Sequence, residues 1–197
     1  MLVGMATPRK RRRPAAVRKR MGVCDRLKAI LSPPSACLYR PDAKADRQLQ
    51  NEVGQPLPSS YSEFLACYGP GYIRTQAHDL NFLTVYEPAR ILSQNRLFYN
   101  ALGEPLPRSD WPQIHWAQPG GWLMWGYSCD GHQYYWRREG EPDDWPIMVE
   151  DRYSHAREEF DLRLPDFLYA VLTGGIDPSG VPTAIKSQEK SCLWTPT

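Results

Sequence analysis

The sequence predicts an α+β domain built on a central, mostly antiparallel sheet flanked by helices. Two observations give the class. Segments with apolar residues at helical spacing come first and last, and between them lie short β-branched and aromatic runs punctuated by turn residues. Asp130-Gly131 separates two of those runs, as in an antiparallel hairpin. A third observation sets the scale: with 42% hydrophobic and 12% aromatic residues in 197, the chain can bury one sizeable core.

Residues 1–43 read as a basic, proline-containing region without fixed structure, because Pro33, Pro34 and Pro41 turn themselves and their preceding residues away from helix. Order is expected from Lys44 to about residue 175. Leu49 and Val53, four apart, suggest a short amphipathic helix stopped by Gly54. Beyond Pro56-Leu57-Pro58, Ser59 is the expected N-cap of a second helix with Tyr61, Phe64, Leu65 and Tyr68 on one face. Gly69-Pro70-Gly71 ends it.

Residues 80–85 read as a short strand, and Ala89, Leu92, Arg96 and Tyr99 fit a helix without a clean apolar face. Four prolines make 102–120 a long loop. The runs 122–127 and 132–138 form the predicted hairpin, since both residues of its Asp-Gly turn tolerate positive φ. A strand over 146–150 and a weaker one over 156–160 follow. Leu164, Phe167, Leu168, Val171 and Leu172 have the best helical spacing in the chain, closed by Gly174-Gly175. Residues 176–197 read as a disordered tail.

Charge is distributed unevenly. Eight of the 24 Lys and Arg residues fall in the first twenty positions, with no acid among them; the other 16 stand against all 22 acids, leaving the body near −6. The basic stretch has two readings: an arm that displaces counterions from nucleic-acid phosphates, or an inert extension ahead of a true start at Met21. It has no interleaved aromatic for stacking on bases, and nothing downstream resembles a groove-reading motif.

No apolar run reaches the roughly 20 residues needed to cross a bilayer, and no secretory leader is evident, so a cytoplasmic protein is expected. The cysteines, Cys24, Cys37, Cys67, Cys129 and Cys192, are odd in number and scattered, which suits reduced thiols. Zinc on Cys129, His132, Cys67 and His78 is the sharper alternative, but Cys67 and His78 lack the close spacing of a ligand pair. No cofactor or metal is expected.

Five blocks, read in order, resemble the SUKH superfamily in its Smi/Knr-type family. The first comprises Gly54, Leu57, Pro58, Tyr61, Phe64, Leu65, Gly69 and Gly71. Trp125-Gly126, then Gly131 with Tyr135-Trp136, then Trp145-Pro146, and finally Phe167-Leu168 supply the others. The resemblance covers residues 44–175 and implies an α+β domain. Many bacterial members neutralise secreted polymorphic toxins by binding the toxin domain, and fungal relatives are intracellular signalling regulators. The motif residues also have a structural explanation, as turn formers and core aromatics.

No phosphate loop, nucleophile elbow or metalloprotease helix occurs, and Cys129 with His132 is more simply a hairpin connection than a thiolate and base, so no catalytic residues are expected. The predicted function is non-catalytic binding of a cognate toxin domain, a nuclease being one candidate. The alternatives are a regulatory scaffold and a nucleic-acid-associated protein acting through residues 9–20. The partner surface is placed on the acids after the hairpin, Glu139, Glu141, Asp143, Asp144, Glu150 and Asp151, with Trp145 as aromatic anchor. Against it stands the plainer reading that the acids solubilise a loop and Trp145 is core.

Overall fold

The computed structural model describes residues 22, 24–35, 39–75, 78–101, 114–182 and 192–197. The basic stretch, Cys37, residues 102–113 of the proline-rich loop and residues 183–191 of the expected tail lie outside them. The helices are α1 (Asp25–Lys28), α2 (Ala43–Val53), α3 (Ser59–Tyr68), α4 (Pro88–Ala101) and α5 (Leu164–Leu172). The strands are β1 (Gly71–Thr75), β2 (His78–Val85), β3 (Trp122–Tyr127), β4 (Gln133–Arg137), β5 (Ile147–Glu150), β6 (Arg157–Phe160) and β7 (Cys192–Pro196). They form one sheet in the order β6-β5-β4-β3-β2-β1-β7, with every neighbouring pair antiparallel, so the class is α+β. Among the described residues no helix is long and apolar enough to cross a membrane.

The apolar stripes of α3 and α5 cover one face of this sheet. Tyr61, Phe64, Leu65 and Tyr68 from α3, and Leu164, Phe167, Leu168 and Val171 from α5, are buried against Tyr134, Trp136, Ile147 and Val149. Trp125 joins them through a register shift. Leu123 faces Trp136 and Gly126 faces Tyr134, so Trp125 is the extra residue of a β-bulge. Its ring stacks on Tyr134 at 5.4 Å and meets Phe167 edge-on at 6.3 Å. A Cβ on the adjoining Gly126 would stand 2.2 Å from the Thr84 carbonyl oxygen, so the approach of β2 requires glycine there.

β2 and β3 pair only at Thr84–Tyr127 and Val85–Gly126. Farther along β3, the Asn95 side chain of α4 stands in for the missing strand: Nδ2 donates to the Met124 carbonyl at 2.8 Å, and Oδ1 accepts from the Met124 amide at 2.9 Å. This explains why α4 lacks a clean apolar face. Its buried stripe of Ile91, Leu92 and Asn95 carries an amide that completes a sheet edge.

Several sequence expectations are corrected. Ser59 is the first residue of α3 rather than its N-cap; Pro58 holds that position with no side-chain bond, and Ser59 turns to Asp143 instead. In the hairpin only Gly131 has positive φ, at 84°. The Gly131 amide donates to the Ser128 carbonyl and the Ser128 amide to the His132 carbonyl, making a type I turn followed by a glycine bulge. That geometry needs one left-handed residue, supplied by Gly131, and Asp130 keeps an ordinary φ.

Order begins well before Lys44. Cys24, Leu27 and Leu31, at helical spacing, are buried, and the Tyr68 hydroxyl donates to the Leu31 carbonyl at 2.8 Å. The prolines that follow obscured this stripe. At the other end, β7 pairs with β1 from Gly71–Pro196 to Thr75–Cys192, so the expected disordered tail contains a strand. Trp194 is buried edge-on to Phe64 and Tyr68, and its Nε1 donates to the Tyr68 carbonyl at 2.8 Å. Upstream, Val181 is buried and the Gly180 carbonyl accepts from the Tyr134 hydroxyl at 3.0 Å. Gly71, taken from sequence as a turn residue, is a strand residue: a Cβ there would lie 2.3 Å from the Thr195 carbonyl oxygen.

Candidate protein-binding surface

The acidic segment leaves β4 through a buried cation. Arg138 is 1% exposed, and its guanidinium donates to the carbonyls of Val53, Trp116 and Gln118. It thereby closes the C-terminal end of α2 onto the 116–118 turn, where the helix dipole favours positive charge. Burial pulls its pKa below the ordinary value. Its Cζ also lies 5.3 Å over the Trp145 ring, so Trp145 is held beneath the segment. At 3% exposure Trp145 cannot anchor a partner, and the core reading replaces the anchor reading.

Between those two buried residues the chain loops outward. Glu139, Glu141, Asp143 and Asp144 are all exposed, the last two on a short 3-10 helix, Pro142–Asp144. Three hydrogen bonds fix the loop to the α2–α3 corner and a fourth closes it on Trp145. Asp143 Oδ1 accepts from the Ser59 amide at 2.6 Å and Oδ2 from the Ser59 hydroxyl at 2.9 Å, which supplies α3 with a cap from 84 residues away. The Gly140 carbonyl accepts from Gln55 Nε2 and Trp145 Nε1, each at 3.4 Å. Glu139 is paired with Arg137 at 3.2 Å, which leaves Glu141 and Asp144 as the carboxylates with the fewest intramolecular ties.

The other two predicted acids stand apart, because β5 spans roughly 13 Å at about 3.3 Å per residue and they lie at its far end. Glu150 is 5% exposed and faces Arg157 at 3.6 Å and His155 at 3.8 Å, so it is no surface contact. Asp151 organises the β5–β6 turn, accepting from the Tyr153 and Ser154 amides. Burial pushes its carboxyl up, but those amides and nearby His132 outweigh it and leave the pKa below the usual range. The turn projects Tyr153, 73% exposed, and holds His155 at φ 57°.

The corner that receives the acidic loop also opens into a cleft of about 660 Å³ between α2 and α3. Tyr39, Leu57 and Leu65 give it apolar walls; Ser59, Asp46 and Glu63 give it polar ones, and no Lys or Arg lines it among the described residues. Burial and the neighbouring Asp42 raise the Asp46 carboxyl above its usual pKa. Sequence reasoning missed this cleft and the Ser59–Asp143 contact. The only local signal was the isolated acid pair Asp143-Asp144.

Around the hairpin turn, His132 is buried with Nδ1 accepting from the Arg152 amide at 3.1 Å and lying 3.6 Å from Asp151 Oδ1. That nitrogen is committed to the turn rather than to Cys129. Among the described residues no group of three or more His, Cys, Asp and Glu side chains could hold a metal ion. Comparison of the chain with protein-family models, with curated proteins and with solved structures returns no match.

Proposed function

We propose that this chain is a non-catalytic protein-binding domain, an immunity protein of the SUKH type that acts in the cytoplasm by covering a basic surface on a cognate toxin domain. The observation that carries the reading is the loop bearing Glu139, Glu141, Asp143 and Asp144, exposed yet pinned at Asp143, Gly140 and Trp145. A loop already fixed in place loses little entropy on binding, and clustered negative charge draws a basic partner in from a distance. The adjoining acid-edged cleft extends the same surface with apolar area. The sequence resemblance, with its five blocks in order, supports the toxin-binding form of the reading.

The test is charge reversal at Glu139, Glu141 and Asp144, leaving Asp143 to cap α3. Association with a toxin domain should slow about tenfold or more at low salt and lose most of its salt dependence. An unchanged on-rate at equal stability would remove this loop from the interface.

A further inference from the structure

We propose that the cleft between α2 and α3 is an arginine pocket, a binding site for a guanidinium side chain presented by a protein partner. The inference rests on reading the chain as the binder of a basic protein, and it names the group that enters the cleft. Asp46 stands in the first turn of α2 and Glu63 on α3, while Tyr39 and Pro41 close the cleft from the segment ahead of α2 and Pro88 from the start of α4. Leu57 and Leu65 add apolar surface, so two carboxylates sit among aromatic, proline and leucine side chains.

Charge complementarity identifies the occupant. Among the described residues no Lys or Arg lines the cleft, whereas acids elsewhere in the fold have cations beside them: Glu52 pairs with Arg96, Asp166 with Arg26 and Arg163, and Glu159 with Arg137. The hydroxyls of the cleft are committed as well, Tyr61 donating to the Tyr86 carbonyl at 2.6 Å and Ser59 to Asp143 at 2.9 Å. Asp46 is half-buried, and burial together with Asp42 raises its carboxyl, which is the response of a charge short of compensation. An entering cation supplies the missing opposite charge.

Guanidinium suits these walls better than ammonium. It is planar and weakly hydrated, stacks on aromatic faces and can bond a carboxylate through two N–H groups. Ser59 belongs to both surfaces, lining the cleft and being held by Asp143 of the acidic loop. A protein laid over that loop therefore reaches the mouth of the cleft, which favours one of its side chains over a free amine. Pro41, Pro56 and Pro88 fix the backbone around the rim, so little ordering is needed on binding.

The test titrates the isotope-labelled full chain with benzamidine, a rigid cation that mimics the arginine head group, and with benzamide, its neutral isostere, and follows amide shifts by NMR. Benzamidine at up to about 10 mM should move the Asp46, Gln50, Ser62 and Ala66 signals, and benzamide should bind about tenfold more weakly. Asp46→Asn should weaken benzamidine about tenfold with unchanged circular dichroism, and should speed release of a co-purified basic partner by a similar factor. Equal affinity for the two probes, no shifts in the cleft, or full benzamidine affinity in Asp46→Asn would overturn the proposal while leaving the acidic-loop reading in place, because the probes need no toxin. Partner release at the wild-type rate in Asp46→Asn would assign the cleft to a free amine instead. Failure to recover any basic partner would overturn the toxin reading and the partner's side chain with it.

Discussion

Arg138 shows how much a single side chain can decide. A fully buried guanidinium normally needs a carboxylate, yet its hydrogen bonds in this fold go to three carbonyls, with the Trp145 ring as the remaining support. Removing the charge takes the side-chain donor from the desolvated Val53 and Trp116 carbonyls and leaves Gln118 with the Gly121 amide alone. Arg138→Met should therefore cost about 3 kcal/mol in urea unfolding despite similar side-chain volume, and it should loosen the acidic loop. A loss under about 0.5 kcal/mol would mean that water satisfies the carbonyls equally well. Nothing in the sequence signals this role, since Arg138 reads as the polar end of a strand. Asn95 was equally opaque, because its partners on Met124 lie on another element. Trp145 was open to both readings, and burial settles it as core.

At the scale of elements, the legible parts were those with local periodicity. α5 was read to its boundaries from five apolar residues at i, i+3, i+4, i+7 and i+8, and the β3–β4 hairpin from its turn. β1 and β7 escaped because each is five residues long and is held by pairing with other strands, β1 between β2 and β7 and β7 on β1. The clue to β7 was Gly71, whose requirement for glycine is set by the Thr195 carbonyl 124 residues downstream. Trp194 fills the space between Phe64 and Tyr68, so Trp194→Ala should destabilise the fold by about 3 to 5 kcal/mol, as for other large buried aromatics. An equilibrium unfolding midpoint equal to wild type would show that β7 docks only marginally.

For the whole molecule, the acidic body and the buried phenols set opposite limits on pH. Burial holds Tyr61 and Tyr135 well above the normal phenol pKa, pushes Tyr86 up to about 12 and does the same to the Cys24 thiol. Folding raises these pKa values, so their contribution is complete below the unfolded values near 9 to 10 and is lost as pH climbs towards 12. Stability should fall by about 1.4 kcal/mol per pH unit for each buried group in that window, with tyrosinate absorbance appearing together with unfolding. Gradual ionisation of all phenols before unfolding would contradict the burial. The antiparallel α+β architecture was thus readable from sequence, whereas the proposed binding surface was readable only in part. Glu139, Glu141, Asp143 and Asp144 do share one loop, but Glu150 and Asp151 belong to the other end of β5, and the adjoining cleft arises from residues distant in sequence.

The central claim, that this loop binds a basic toxin domain, is tested most directly by co-purification from cells that naturally make the protein. The wild-type chain and the Glu139→Lys, Glu141→Lys, Asp144→Lys variant should be isolated side by side. A stoichiometric polypeptide ending in a toxin-like domain should be retained by the wild type and lost by the variant at moderate salt. Equal retention by both, or recovery of only regulatory proteins with the wild type, would contradict it.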